Sequence, residues 1–287
     1  MERNMGEVYQ TIANKLPEMS KSQRKIALYI LNNPDSVPFS TVGKLAKMAE
    51  VSEATVVRFA NFLGYSGFPE LQQAMQESVR RQLTTVERLK ISENIYHSED
   101  EKDIYNMFNE EIRRIQMMAD QFDIDAFRKA VKLIIGAKNI YIIANRSAVS
   151  LGTFLEFYLD VLFQNTELIR NPYGISEKMF RLNEEDVVIA LSFPRYTKNT
   201  IDAVSFAKDQ GSKVIAITDS IASPLIPYAD IQLCAPSEMP SFIDSFVAPL
   251  SLINALLTAV GKEKRSEIEA HLNDLENVWE RFQIFYR

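Results

Sequence analysis

Apolar positions at helical spacing dominate the N-terminal part of the chain, and capping residues mark where each helix begins. The run SKSQRKIALYILNN begins with Ser20, a residue type that caps helices, and carries Ile26, Ile30 and Leu31 on one face. It stops before Pro34, which cannot continue a helix. The pattern predicts a first, supporting helix over residues 20–33.

Two shorter helices follow, separated by a tight turn. Ser40 is positioned to cap the run TVGKLAKMA, and Ser52 is positioned to cap the run SEATVVRFANFLG, which ends at Gly64. The inner faces are apolar: Val42, Leu45, Ala46 and Ala49 in the first of these helices, and Val56, Phe59, Ala60 and Leu63 in the second. Thr55, Arg58 and Asn61 therefore lie on the outer face of the second helix.

Two short helices joined in this way are typical of a helix-turn-helix, whose second helix enters the major groove of DNA. Ala46 is small where the helices approach each other, and Val51 is an apolar residue in the turn. Glu50 occupies the turn position usually given to glycine, and a positive φ costs a non-glycine residue about 1 kcal/mol. A plain helical hairpin is the alternative interpretation.

The outer faces carry side chains suited to DNA. Arg58 can pair bidentately with guanine, Thr55 can reach a base or a methyl group, and Ser52 can contact a phosphate. Glu53 repels phosphate unless it accepts a hydrogen bond from a cytosine amino group. From these helices, the predicted DNA-contacting residues are Ser40, Lys44, Lys47, Ser52, Thr55, Arg58 and Asn61.

The apolar pattern changes in the second half of the chain, where short continuous apolar runs alternate with helical stretches. The runs predict five strands, at residues 139–144, 166–169, 186–192, 213–218 and 230–234. Such strands, separated by helices, are typical of a parallel sheet covered on both faces. The predicted fold class is thus α plus α/β, an all-helical N-terminal domain followed by a five-stranded parallel α/β sandwich. Ligands of such sheets bind beyond the carboxyl ends of the strands.

Two of the loops at that edge carry hydroxyl groups and an arginine each. The residues are Asn145, Arg146 and Ser147 after the first strand, and Ser192, Arg195, Tyr196 and Thr197 after the third. Hydroxyls at helix starts, with free backbone N–H groups behind them, form anion sites to which arginine adds charge. The pair of loops predicts anion binding, although each hydroxyl taken separately is typical of a simple helix cap.

The segments outside these two domains are also predicted to be helical. We expect the helical N-terminal domain to span residues 1–80, a polar helical linker to span 81–119 and the α/β domain to span 120–262. His97 is expected on the solvated surface of the linker. An apolar stripe runs along the end of the linker, and its residues are Ile104, Phe108, Ile112, Ile115 and Ala119.

A C-terminal helix is predicted over residues 263–287, with His271 on a solvated face. Its apolar residues are spaced as a heptad seam: Ile268, Leu272, Leu275, Trp279 and Phe282. The seam could pack on its own domain or against a second copy of the chain. Because helix-turn-helix proteins generally read paired half-sites, a homo-oligomer, dimer or tetramer, is predicted.

Composition restricts the chemistry. The net charge of −6 argues against a generic nucleic-acid coat protein, yet the first 90 residues carry 12 Lys and Arg against 9 Asp and Glu. The single cysteine, Cys234, permits no intramolecular disulfide, and only two histidines are present, so no metal and no cofactor are expected. No signal peptide or membrane-spanning run is apparent, which predicts a cytoplasmic protein without a membrane partner.

The N-terminal helices resemble a known family. The stretch KLAKMAEVSEATVVRFANFLGYSGFPELQ is similar to the DNA-binding domain of the RpiR/MurR family of bacterial transcriptional regulators, above all in VSEATVVRF, LGY and GF. The resemblance implies DNA contacts by Ser52, Thr55 and Arg58, and backbone contacts by Tyr65 and Ser66. Phe68 is expected to pack rather than to stack on a base.

The second half resembles a sugar isomerase (SIS) domain, the companion of that helix-turn-helix in RpiR-type regulators. The order of the strands, residues Ser192 to Thr197 and the stretch TDS…SPL carry the likeness. SIS domains hold phosphosugars in loops with glycines, whereas this sequence has Ala144 and Arg146 at the glycine positions of the first loop. In the second loop, Pro194-Arg195 replace Ser-Gly. The departures imply an altered anionic ligand rather than a lost site.

Together these features predict a transcriptional regulator that reads a palindromic double-stranded operator and senses a phosphosugar or related anionic metabolite. No catalytic residue is assigned. The alternative is a SIS isomerase with a fused helical head, for which Glu238, after the fifth strand, is the carboxylate best placed to act as base or to bind ligand. A scaffold that uses its first helices for protein contacts is a third possibility, and it predicts no salt-dependent affinity for DNA.

Overall fold

The structure is a computed structural model that describes residues 7–34, 37–80, 85–86, 88–89, 101–170, 179–238 and 241–286. Contacts divide the chain into two units. The first comprises residues 1–97 and 240–242, and the second comprises residues 98–239 and 243–287. His97 lies outside the described residues, as do residues 81–84, 87, 90–96 and 98–100 of the predicted linker.

The first unit is helical, as predicted. Its helices are α1 (Glu7–Lys15), α2 (Lys21–Asn32), α3 (Val42–Met48), α4 (Glu53–Leu63) and α5 (Phe68–Arg80). They enclose one apolar core to which every helix contributes. The predicted inner face of α4 lies in this core, and so do Leu45, Ala46 and Ala49 of the α3 region. Phe68 is buried in the same core, as expected.

Side chains cap the helices of this unit, and one predicted cap is wrong. Ser20 forms a reciprocal capping box with Gln23 at the start of α2, and Ser52 Oγ accepts from the backbone N–H of Thr55 at the start of α4. At the start of α3 the cap is Thr41, whose Oγ1 accepts from the Lys44 N–H at 3.2 Å. Ser40 instead closes the preceding 3₁₀ turn, because its N–H donates to the carbonyl of Val37.

The turn between α3 and α4 confirms the expected strain. Glu50 has a φ of 52°, and Val51 N–H donates to the carbonyl of Ala46 across the turn. Lys25 of α2 donates to the Glu50 carboxylate at 2.9 Å, and this hydrogen bond lowers the pKa of Glu50. Glycine does appear at the end of α4, where Gly64 has a φ of 106°.

The second unit contains a five-stranded, fully parallel sheet. Its strands are β1 (Ile140–Ala144), β2 (Thr166–Ile169), β3 (Val187–Leu191), β4 (Lys213–Thr218) and β5 (Ile231–Cys234), in the spatial order β2-β1-β3-β4-β5. The helices of this unit are α6 (Glu101–Asp120), α7 (Ile124–Gly136), α8 (Val149–Phe163), α9 (Lys198–Asp209), α10 (Val247–Glu263) and α11 (Arg265–Arg281). All five predicted strands are present.

Both faces of the sheet are buried, because successive side chains point in opposite directions. Ile140 and Ile142 of β1 enter the larger core with side chains of α7, α8 and α10. Ile143 enters the smaller core on the other face, with Ala203 and Val204 of α9. This arrangement explains why the strands read as continuous apolar runs.

Helix α6 belongs to the second unit rather than to a linker, which corrects the predicted boundary. It packs on α10, and Arg114 on its inner side is only 5 % exposed. The predicted apolar stripe, by contrast, faces outward: Ile104, Phe108 and Ile112 are 55 %, 62 % and 64 % exposed. Spacing identified the stripe, but it did not reveal which side of α6 packs on the core.

The C-terminal seam packs largely on its own unit. Ile268 is buried and Leu272, Leu275 and Trp279 are half-buried in α11, which packs against α8 and α10, whereas Phe282 is exposed. His271 is half-buried beside Gln164 rather than fully solvated. Within the described part of the chain, no helix is both long enough and apolar enough to cross a membrane.

Candidate functional site

The N-terminal half of α4 presents three of the predicted DNA-contacting residues as one connected group. The hydroxyls of Ser52 and Thr55 lie 2.8 Å apart, and Arg58 Nη2 donates to Thr55 Oγ1 at 3.4 Å. Ser52 and Arg58 are exposed, and Thr55 is half-buried between them. Helical spacing explains the arrangement, since residues three apart share a face.

Lys44 and Lys47 are exposed on α3. Glu53, the acidic residue at the start of α4, is turned back toward α3, because a Cβ at position 43 would lie 2.7 Å from Glu53 Oε1. Gly43 thus leaves room for the carboxylate near the N-terminus of α3, where a negative charge is favourable. This position explains how an acidic residue is accommodated at the head of α4.

The loop after α4 is held by contacts within the domain. With its amide nitrogen oriented to donate, Asn61 bonds to the carbonyls of Tyr65 and Ser66 at 3.1 and 3.2 Å. Ser66 N–H donates to Glu70 at 2.6 Å, which lowers the pKa of Glu70. Tyr65 is half-buried against the core. Asn61 therefore shapes its own loop, a role the sequence did not predict.

One residue far away in the sequence also positions α4. Lys15, at the end of α1, donates to the backbone carbonyl of Phe62 at 3.2 Å and lies 5.4 Å from the centre of the Phe62 ring. A cation at a helix C-terminus satisfies a carbonyl that has no partner in the helix. Neither periodicity nor composition could identify this contact, because it joins two helices that are distant in sequence.

In the second unit, the strand order has a topological switch point between β1 and β3. β1 lies between β2 and β3, so the chain leaves β1 toward one side of the sheet and leaves β3 toward the other. The loops that follow these two neighbouring strands diverge at their carboxyl ends, and such a switch point is where open α/β sheets bind ligands. The predicted anion-binding residues lie in these two loops.

Both loops contain an arginine with left-handed backbone. Arg146 has a φ of 55° and Arg195 a φ of 66°, and both are exposed. Non-glycine residues rarely adopt this conformation, and such strain is concentrated at functional sites. The two loops therefore keep a backbone conformation that glycine favours, although neither has a glycine at these positions.

Side-chain hydrogen bonds join the two loops that carry the arginines. Asn145 Nδ2 donates to Thr200 Oγ1 at 2.8 Å, and the hydroxyls of Thr197 and Thr200 lie 2.7 Å apart. Thr200 is fully buried in the first turn of α9. Sequence reasoning missed Thr200, although its place one turn after Thr197 put it on the same face.

The simple capping interpretation does not hold for Thr197, which is half-buried, or for Ser147, which is exposed. Thr197 occupies the N-cap position of α9, yet its side chain makes no capping hydrogen bond. Ser147 lies within the 3₁₀ turn Arg146–Ala148, and Ala148 precedes α8. At the start of α9, the backbone N–H groups are thus left without a side-chain cap, an arrangement that favours an anion.

The remaining predicted residues occupy different depths. Ser192 is buried, and its carbonyl accepts from Thr218 Oγ1 at 2.7 Å. Tyr196 is half-buried and donates its hydroxyl to Asp219 Oδ1 at 2.6 Å. Thr218 is the last residue of β4 and Asp219 follows it, so these bonds tie the loop after β3 to the carboxyl end of β4.

Glu238 stands apart from the arginine loops. It is half-buried after β5, and β4 separates β5 from β3 in the sheet. Its backbone carbonyl accepts from Arg114 Nε at 2.5 Å. Among the described residues, the structure brings seven predicted ligand residues to two adjacent loops and leaves the eighth, Glu238, two strands away from β3.

Both units match known families. Residues 6–82 match the model described as a helix-turn-helix domain of the rpiR family, and residues 133–259 match the SIS domain. An uncharacterised helix-turn-helix-type transcriptional regulator of Thermotoga maritima is 30 % identical over 237 residues, which cover 79 % of this chain and 80 % of the relative.

Two further proteins extend the similarity. The transcriptional regulator HexR of Escherichia coli is 27 % identical over 258 residues, covering 86 % of this chain and 85 % of HexR. The structure of the Vibrio vulnificus NanR protein, complexed with ManNAc-6P, aligns with a TM-score of 0.59 at 22 % identity, covering 96 % of this chain and 99 % of NanR. At that identity, the structural match establishes the fold alone.

Proposed function

This chain belongs to the rpiR family of helix-turn-helix transcriptional regulators that carry a SIS domain, and we propose that it switches between operator-binding states when an anionic sugar metabolite binds. It is a DNA-binding regulator. The first unit reads a palindromic operator in the cytoplasm, and the SIS domain holds the effector. An effector regulates only if its affinity differs between the two states.

The surface group on α4 supports the DNA-reading half of the proposal. Arg58 reads a guanine, Thr55 contacts a neighbouring base and Ser52 contacts a phosphate while capping the helix. Lys44 and Lys47 neutralise phosphates where α3 crosses the backbone. Ser40, Tyr65 and Ser66 are secondary backbone contacts. A two-fold operator requires a homo-oligomer, whose interface has to leave both copies of α4 accessible.

The loops at the switch point carry the ligand-binding half. Arg146 and Arg195 lie in loops that flank an uncapped helix N-terminus, and Asn145 and Thr197 are fixed by Thr200. Guanidinium groups bind phosphate or carboxylate bidentately, and helix N-termini add backbone donors. The NanR protein is complexed with ManNAc-6P, and a sugar phosphate or sugar acid is accordingly the proposed class of effector, with Ser147, Ser192 and Tyr196 lining the site.

An isomerase activity is less well supported. Aldose–ketose isomerisation needs a base at the carbon that loses a proton, and Glu238, the carboxylate nominated for that task, follows a strand two positions from β3. The proposed role of the domain is therefore sensing. Turnover of sugar phosphates that falls in Glu238→Gln would support the isomerase instead.

Two measurements test the proposal on the full chain. In vitro selection from a random DNA library should yield a palindromic sequence, whose affinity falls steeply with salt. A thermal-shift screen of sugar phosphates and sugar acids should find ligands that raise Tm, since a ligand at 100 times its Kd adds about 2.7 kcal/mol of stability. Failure to enrich any DNA sequence would contradict the regulator's proposed operator.

A further inference from the structure

Two polar contacts hold the loop after β5 to helix α6. Arg114 Nε donates to the carbonyl of Glu238 at 2.5 Å, and Ser245 Oγ donates to the Glu111 carboxylate at 2.5 Å. We call residues 235–238 and 243–246, which follow β5 and precede α10, the β5 loop. Its two ends are also joined, because Ser245 N–H donates to the carbonyl of Ser237 at 2.7 Å.

The contacts involve a buried charge, the guanidinium of Arg114. Arg114 is only 5 % exposed, and its guanidinium lies 3.8 Å from Glu110 and 3.6 Å from Glu111. A buried guanidinium that loses its partners is strongly disfavoured, so its position is tightly constrained. Glu111 joins the two contacts into one network, since it pairs with Arg114 and accepts from Ser245. We call this network, Glu111, Arg114, Ser245 and the Glu238 carbonyl, the α6 clamp.

The position of the clamp in the chain suggests its role. The β5 loop leaves the carboxyl edge of the sheet, the edge at which the effector is proposed to bind. Helix α6 is the first described helix of the second unit, and it comes after the DNA-binding unit in chain order. The clamp is thus a polar connection between a loop at the proposed ligand edge and the first described helix that comes after the DNA-binding unit in the chain.

We propose that the α6 clamp couples the two activities, with Arg114 as the positioning residue that makes α6 follow the β5 loop. The inference rests on the proposed function, because it assigns the path by which effector binding reaches the DNA-binding unit. A displacement of the β5 loop is transmitted to α6 as long as both contacts hold. Without Arg114, the Ser245–Glu111 hydrogen bond alone does not hold the loop to the helix, and the two move independently.

Hydrogen–deuterium exchange on the full-length, ligand-free protein tests the mechanical part. Arg114→Met keeps the apolar stem and removes the donor, and the matched control is Arg113→Met, an exposed neighbour on α6 that also pairs with Glu110, at 3.3 Å. Losing a charge-assisted bond should accelerate exchange about tenfold in both α6 and the β5 loop, with no change in the control. Acceleration in neither segment, or in only one, overturns the proposal.

A second variant guards against misfolding of the first. Ser245→Ala removes one hydroxyl and leaves Arg114 paired, so it perturbs the clamp without exposing a buried charge. It should accelerate exchange in the same two segments, by a smaller factor. An effect confined to residues 243–246 would contradict a shared clamp.

Adding a ligand separates coupling from binding. The probes are ManNAc-6P and glucose 6-phosphate, each compared in wild-type protein and Arg114→Met. In the wild type, the bound probe should slow exchange in the loops after β1 and β3 and in α6. In Arg114→Met, the loops should still be protected and α6 should not be. Equal protection of α6 in both proteins would refute the coupling role. If neither probe protects the loops of the wild type, the proposed effector class fails, while the ligand-free comparison still decides the clamp.

Discussion

Arg146 and Arg195 share a left-handed backbone, with φ values of 55° and 66°, in the loops that follow the adjacent strands β1 and β3. The two strands run parallel and pair residue for residue from Ile140 with Val187 to Ala144 with Leu191. Each arginine therefore stands just beyond the same end of the sheet, in a conformation that glycine would adopt without cost.

This relationship separates the cost of the backbone from the role of the side chain. Arg195→Ala and Arg195→Gly both remove the guanidinium, but only glycine relieves the left-handed conformation. The glycine variant should be about 1 kcal/mol more stable than the alanine variant, and both should bind the effector more weakly to the same extent. Urea unfolding and calorimetric titration with a ligand from the thermal-shift screen measure the two effects. Equal stability of the two variants would contradict the strained backbone.

Arg58 and Lys44 should affect DNA binding differently. Arg58→Ala should lose about 1–3 kcal/mol of discrimination between the selected operator and a variant with the contacted base changed. Lys44→Ala should weaken binding to all sequences alike and lower the slope of affinity against salt by about one. Fluorescence anisotropy at several salt concentrations distinguishes them. Lys132, on a helix of the other unit, offers the control substitution, and unchanged discrimination in Arg58→Ala would rule out base reading by Arg58.

Gly152 should not tolerate a side chain. It lies in α8 against the sheet, and a Cβ there would lie 2.9 Å from Leu168 Cδ1 and 3.0 Å from Ala144 Cβ. Gly152→Ala should cost about 1–3 kcal/mol of unfolding free energy, because the helix must move away from β1 and β2. The control is Gly261→Ala in α10, where a Cβ meets nothing within 4 Å and should be neutral or stabilising by up to about 1 kcal/mol. Thermal denaturation compares the two variants, and similar melting temperatures would argue against the close packing of α8.

Thr200 should matter to both loops. Thr200→Val keeps the shape of the side chain but removes the hydroxyl that accepts from Asn145 and contacts Thr197. We expect the free energy of unfolding to fall by about 1–3 kcal/mol, because the half-buried Asn145 amide loses the hydroxyl to which it donates. Effector affinity should fall as well, since both loops lose a shared support. Thr153→Val, which removes an exposed hydroxyl that donates to the carbonyl of Val149 in α8, is the control. If Thr200→Val binds effector as the wild type does, Thr200 does not organise the site.

The strands could be predicted from sequence because their burial on both faces leaves a plain signal. Observed and predicted ends differ by at most one residue, and the apolar runs stop where each strand leaves the sheet. The helix-turn-helix could also be predicted from sequence, because its signals are local: a cap such as Ser52, and apolar residues such as Val56 and Phe59 on one helix face.

Other features depend on a competing local turn or on contacts between residues far apart in sequence, and periodicity could not predict them. Ser40 and Thr41 are both good caps, and only the 3₁₀ turn before α3 decides between them. Spacing predicts that Ile104, Phe108 and Ile112 share one face of a helix. It does not predict that this face is exposed and that Arg114, on another face, is buried. The backbone carbonyls that accept from Arg114 and Lys15 lie 124 and 47 residues away.

The strained arginine loops also bear on how this binding edge can change. Some arginine codons differ from glycine codons at a single nucleotide. One base change can therefore replace the arginine at position 146 or 195 with glycine, whose side chain is a hydrogen atom. The backbone at these positions already has the left-handed conformation that glycine adopts readily, so the loop keeps its conformation after such a change. If the proposed effector binds at this edge of the sheet, the preference for one ligand over another can therefore change in single mutational steps, while the fold stays constant.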